Sequence, residues 1–188
     1  MNTKNKKIIH RKYGIMRNVR GAGCHRSIYP DTRFHIWIIS HFSSFFVLLA
    51  GLILGADKGA ISVGCYVLLG LVGVPIFAAG GGIGYIFRPS FGYLVGFIVS
   101  AYVTGKVCEK LKASYKNYLL ACLAGFVVTY AIGIVYKFII LNFYAHTPAT
   151  LGVIFLSCFP LDMPGDFVLC LLAAGVGLRM RKSGFYLS

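Results

Sequence analysis

The stretch FAAGGGIGYIFRPSFGYLVG, residues 77–96, sets Gly80, Gly81, Gly82 and Gly84 and the polar run Arg88, Pro89, Ser90 between two apolar segments. Before it lies GAISVGCYVLLGLVGVPIF, residues 59–77; PSFGYLVGFIVSAYVTG, residues 89–105, overlaps its end. Each approaches the ~20 residues that a helix needs to cross a bilayer. The glycine-rich backbone between them carries polar groups that lipid cannot satisfy. Irregular backbone at membrane depth survives only when buried in protein or lining a cavity. The stretch is therefore expected to be a loop or partial re-entrant segment whose glycines line a ligand pocket.

The rest of the chain fits that reading. Of the 188 residues, 57% are hydrophobic and only 13% charged, which excludes an ordinary soluble domain. Mean hydropathy is +0.75. The length allows roughly five or six membrane helices and no sizeable soluble domain. A basic N-terminal arm covers residues 1–33, a membrane domain residues 34–182, and a short tail residues 183–188. The first apolar segment runs over 34–55 and ends in the clean run FFVLLAGLILG. A break at Ala56, Asp57 and Lys58 precedes the second. A linker with Lys106, Glu109, Lys110, Lys112 and Lys116 follows the third, and residues 117–141 form a long helix. LGVIFLSCFPL, residues 151–161, is apolar but too short for a span. PGDFVLCLLAAGVGL, residues 164–178, is the last helix, closed by Arg179, Arg181 and Lys182.

Charge sets an expected orientation. The net charge is +14. The basic residues sit mostly between or beside apolar spans, so they read as cytoplasmic flanks rather than as a nucleic-acid surface. The 106–116 linker, the C-terminal tail and the Asp57–Lys58 turn then lie inside. The glycine-rich stretch and FPLDMPGD, residues 159–166, meet outside.

Chemistry at these two segments is limited. GGGIG lacks the following Lys-Ser/Thr pair of a P-loop, so the chain does not bind and hydrolyse ATP by that route. The six cysteines make no C-x-x-C pair and read as small buried hydrophobes. MPGD is close to the G-x-G-D of intramembrane aspartyl proteases, but Met163 replaces the first glycine and a second catalytic Asp on another membrane helix is absent, the others being Asp31, Asp57 and Asp162. Two carboxylates must share that chemistry. Asp166 can serve as a favourable acid at a helix start, with Asp162 as cap and Pro164 in the first turn. It can also accept a ligand N–H. Arg88 and Lys137 can each meet a ligand carboxylate or snorkel to headgroups. The Tyr130 hydroxyl, in mid-helix, needs a partner.

From Phe45 onward the chain resembles the BioY family, the biotin-binding S components of energy-coupling factor (ECF) transporters. The stretches that carry the resemblance are FFVLLAGLILG, YVLLGLVGVPIFAAGGGIGY, PSFGYLVGF, VVTYAIGI and FPLDMPGDFVLCLLAA, in the family's order and spacing. The resemblance implies an all-α integral membrane protein, a six-helix S-component bundle whose first helix is atypical or missing. It implies biotin bound near the external surface of the cell membrane. Partners would be a coupling membrane protein and separate ATPase subunits, with no nucleic acid, no cofactor and no catalytic residue. The expected substrate-binding set is Asp166, Gly82, Gly84, Tyr85, Arg88, Ser90, Tyr93 and Tyr130. Asp166 would accept the ureido N–H groups. A transport-deficient adaptor protein and an intramembrane hydrolase remain as alternatives.

Two departures from the family stand out. Many members carry Lys three residues after the Asp of PGD, and here that position is Leu169. The carboxylate would then be met by Arg88, by Lys137 or by backbone N–H groups. The family's alanine-rich first helix has no counterpart in residues 1–44. This segment carries nine Lys and Arg against one acid. It is expected to be the product of a frame error, a wrong start or gene decay rather than a native first helix.

Overall fold

In the computed structural model the described residues are 41–78, 80–145, 150–158 and 162–184. The arm over residues 1–33 and the start of the first apolar segment lie outside them. Six α-helices follow in order: α1 (His41–Leu54), α2 (Ala56–Val72), α3 (Phe91–Lys110), α4 (Tyr115–Ile139), α5 (Leu151–Cys158) and α6 (Asp162–Lys182). A 3-10 turn, Ile83–Phe87, sits before α3, and α4 runs on into a π turn, Ile140–Tyr144. Among the described residues there is no β-strand, only an isolated bridge between Phe77 and Gly80.

Local chemistry sets the breaks. Gly55, at φ 81°, turns the chain from α1 into α2, and Gly73, at φ 120°, ends α2; both values are in the region that favours glycine. The first N–H of α2, at Ala56, has no carbonyl to bond within its own helix. It donates instead to Glu109 Oε1 on α3, at 2.9 Å. α5 is only 8 residues long, or about 12 Å at 1.5 Å per residue, and cannot cross a bilayer.

Among the described residues three helices are long and apolar enough to span: Phe91–Lys110, Tyr115–Tyr144 and Met163–Lys182. Large apolar side chains face outward along the bundle, including Ile61, Leu68, Val127 and Phe155. Water would punish such a surface and lipid accepts it. Inside, small residues let backbones approach. α3 and α4 pack extensively along their lengths. A Cβ on Gly125 would run into the hydroxyls of Ser100 and Thr104. One buried cluster gathers Leu52, Cys108, Tyr118, Cys122 and Cys170 from α1, α3, α4 and α6. A second joins Val63, Phe77, Tyr85, Leu94 and Phe97 from α2, the glycine loop and α3.

Side-chain contacts fix the sense of the helices. Arg181, near the end of α6, donates to Tyr118 Oη at 3.1 Å near the start of α4 and contacts Cys108 near the end of α3. Asp166, near the start of α6, meets His41 at the start of α1 and Tyr130 in the later part of α4. One end of the bundle thus carries Lys106, Lys110, Arg179, Arg181 and Lys182. The other end carries the glycine loop and the first turns of α6.

Candidate functional site

A cavity of about 450 Å³ opens at the glycine-loop end, within the roughly 300–1,000 Å³ range of small-molecule sites. Its wall comes from four helices and one loop: His41 and Ser44 of α1, Arg88 and Ser90 of the loop, Tyr93 and Phe97 of α3, Thr129, Tyr130 and Lys137 of α4, and Asp166 of α6.

Asp166 is the focus of the polar end, and it is buried. A carboxylate out of water needs donors on its oxygens. His41 Nδ1 lies 2.6 Å from Oδ1. Tyr130 Oη donates to Oδ2 at 2.8 Å, and Ser44 Oγ approaches Oδ2 at 3.4 Å. His41 and Ser44 are three residues apart, so one face of α1 presents both. A carboxylate offers about four lone-pair positions, so the network leaves Asp166 able to accept one further N–H group from the cavity.

The aromatic wall is braced edge to face. The rings of Tyr93 and Tyr130 meet at 5.8 Å and 81°, and Phe126 supports Tyr130 from behind at 4.7 Å. The Thr129 hydroxyl donates back to Gly125 O at 3.1 Å. The other end of the wall is cationic. Lys137 follows Tyr130 by seven residues, two turns along the same face of α4 and about 10 Å along its axis. The Arg88 guanidinium lies 5.5 Å over the Tyr85 ring, a cation–π placement. The site therefore runs from a hydrogen-bond acceptor, past aromatic faces, to positive charge.

Of the expected site residues, Arg88, Ser90, Tyr93, Tyr130 and Asp166 come together on the wall. Gly82, Gly84 and Tyr85 are not among the lining residues. The glycines fold the loop back on α2 instead: Gly82 N donates to Gly70 O at 2.7 Å, and a Cβ on Gly81 would collide with the Val74 carbonyl. Tyr85 is buried against Phe77, with ring centroids 4.7 Å apart, and its hydroxyl accepts from Ser90 Oγ at 3.4 Å. Tyr136 Oη donates to Ile86 O at 2.6 Å and ties the turn to α4. The loop's part in the cavity is thus to deliver Arg88, Pro89 and Ser90. α6 begins at Asp162, which puts Pro164 and Asp166 in its opening turns.

The sequence reading passed over His41, Ser44, Phe97 and Thr129. A usable signal existed. His41, Ser44, Leu48 and Leu52 recur at three- and four-residue steps, the period of one helix face, and His41, Leu48 and Leu52 are all buried.

Comparison with known proteins identifies the family and the fold. Residues 36–184 match the sequence model of the BioY family. The chain is 35% identical over 138 residues to a probable biotin transporter BioY of Lysinibacillus sphaericus, covering 73% of this chain and 70% of that one. It is 37% identical over 142 residues to a biotin transporter BioY of Thermotoga maritima, covering 73% and 78%. Its fold matches the crystal structure of the S-component for biotin from an ECF-type ABC transporter, with TM-score 0.65 and 26% identity over 74% of this chain and 73% of that one. The family match starts at residue 36, upstream of Phe45, so residues 36–44 share the family's pattern. His41 and Ser44, within the segment expected to be non-native, are built into the cavity wall.

Proposed function

The chain belongs to the BioY family, and we propose that it is the biotin-binding component of an ECF-type vitamin uptake system in the cell membrane. The observation that carries this reading is the cavity's polarity: a buried, donor-braced carboxylate at one end, and Arg88 and Lys137 toward the other.

Biotin complements that order. One of its ureido N–H groups donates to Asp166. Its fused rings and valerate chain lie along Tyr93, Phe97 and Tyr130, where apolar burial favours binding at roughly 25 cal/mol per Å². Its carboxylate meets the cations, and Arg88 offers the forked, planar donor set that suits a carboxylate. This assignment replaces the Lys that many family members carry where this chain has Leu169.

The chain has no P-loop, so ATP-driven delivery falls to a coupling membrane protein and ATPase subunits. The cavity end faces outside and the basic end, with the C-terminus, faces the cytoplasm. No step here breaks or forms a covalent bond of the substrate. Binding of labelled biotin to the purified chain in detergent tests the reading. Saturable binding that unlabelled biotin competes away is expected, and its absence in a folded, monodisperse sample would overturn it.

A further inference from the structure

We infer that His41 is a positioning residue of the ligand site: its imidazole holds the Asp166 carboxylate in the orientation that receives a ligand N–H group. This rests on the biotin reading of the cavity.

An aspartate carboxylate turns about χ2 in a broad, roughly two-fold well. One donor on one oxygen leaves that rotation soft. Here two donors hold different oxygens from different helices: Tyr130 on Oδ2 at 2.8 Å, and His41 Nδ1 at 2.6 Å from Oδ1. The second separation is short even beside the roughly 2.7–2.9 Å of charge-assisted N–H···O bonds. It also puts a proton on Nδ1, because a carboxylate can only accept there, and so decides how the ring is protonated on that side.

The seat of the ring is built by the residue next to Asp166. A Cβ on Gly165 would stand 3.1 Å from His41 Cε1 and 3.3 Å from Nδ1. The imidazole therefore packs directly on the α6 backbone, and a side chain at 165 would push it off. His41 and Asp166 are both buried. The carboxylate at the start of α6 is thereby set by the start of α1, 125 residues away in sequence.

The test is a double-mutant cycle on the full chain in detergent, read as biotin affinity. His41→Ala should weaken binding about tenfold in the wild-type background and less than about twofold in the Asp166→Asn background, because its effect passes through that carboxylate. His41→Asn, whose amide can donate from nearly the Nδ1 position, should recover most of the loss. A second measurement needs no ligand. The ¹⁵N shifts of the His41 ring, identified by their disappearance in His41→Asn, should report a proton on Nδ1 and should move in Asp166→Asn. Equal His41→Ala losses in both backgrounds, no rescue by Asn, or ring shifts indifferent to Asp166→Asn would each overturn the inference alone. A folded wild-type chain that binds no biotin would overturn the underlying reading as well.

Discussion

Tyr130 Oη donates to Asp166 Oδ2 at 2.8 Å, joining α4 to the opening turns of α6 where both border the cavity. The bond stabilises a buried charge and stiffens the wall that Tyr130 shares with Tyr93.

Two substitutions separate the charge from its support. Asp166→Asn keeps the shape but replaces a charged acceptor by a weaker one, so biotin affinity should fall by about 10- to 100-fold, or 1.5–3 kcal/mol. Tyr130→Phe keeps the ring and removes one donor, so its loss should be smaller, near tenfold. Isothermal titration on both variants measures the order. A Tyr130→Phe loss larger than that of Asp166→Asn would mean that the Tyr130 hydroxyl hydrogen-bonds the ligand directly instead of supporting Asp166.

The cationic end is checked with an altered ligand. Arg88→Gln and Lys137→Gln should each weaken biotin about tenfold, and the pair more than either, since a charge-assisted bond to the carboxylate is lost each time. Biotin carboxamide has no carboxylate and should be much less affected. Equal losses for acid and amide would remove both residues from the carboxylate and return them to a role at the membrane surface.

Stability should be sensitive to close packing at the opposite end. A Cβ on Gly105 of α3 would enter the backbone of Gly55 and Ala56, where Glu109 also holds the Ala56 N–H at 2.9 Å. Neither backbone nor cap can yield without separating α2 from α3. Gly105→Ala should cost about 1–3 kcal/mol, as overpacking typically does, and lower the thermal midpoint in detergent by several degrees. Gly64→Ala is the control, because nothing lies within 4 Å of a Cβ there. A midpoint for Gly105→Ala equal to that of the control would show that α2 and α3 pack less closely than described.

How far the site could be read from sequence follows from what each feature depends on. The helices were legible because apolar run length and glycine breaks act locally, as at Gly55 and Gly73. Asp166 and Tyr130 were legible as polar groups that membrane helices cannot leave unpaired. The glycine loop was misplaced by one layer. Its contact with α2 runs through Gly82 N and Gly70 O, a pairing that no local pattern encodes. Lys137 was open to a headgroup role because α4 approaches its end there. Only the fold shows that the Lys137 and Tyr130 face of α4 turns toward the cavity. His41 was lost for a different reason. The basic, histidine-containing sequence before Phe45 hid a helix face that continues upstream with unchanged period.

Orientation gives the last test. Lys106 and Lys110 end α3, and Arg179, Arg181 and Lys182 end α6. Arg181 ties this end together through Tyr118. At the cavity end, Arg88 and Lys137 both border the cavity. The positive-inside rule therefore predicts that the cavity faces outside. Single cysteines at Lys110 and Gly82, in a background with all six native cysteines replaced, give opposite forecasts with an impermeant thiol reagent on intact cells. Gly82→Cys should label, because a loop beside the cavity mouth is in contact with the external medium. Lys110→Cys should label only after the membrane is opened. The Gly82 site has nothing within 4 Å of a Cβ, although its φ of +106° will strain the new residue. Ile83→Cys, at an exposed neighbouring position, is the safer second probe. Labelling of Lys110→Cys in intact cells, with Ile83→Cys protected, would invert the chain and remove external capture of the substrate.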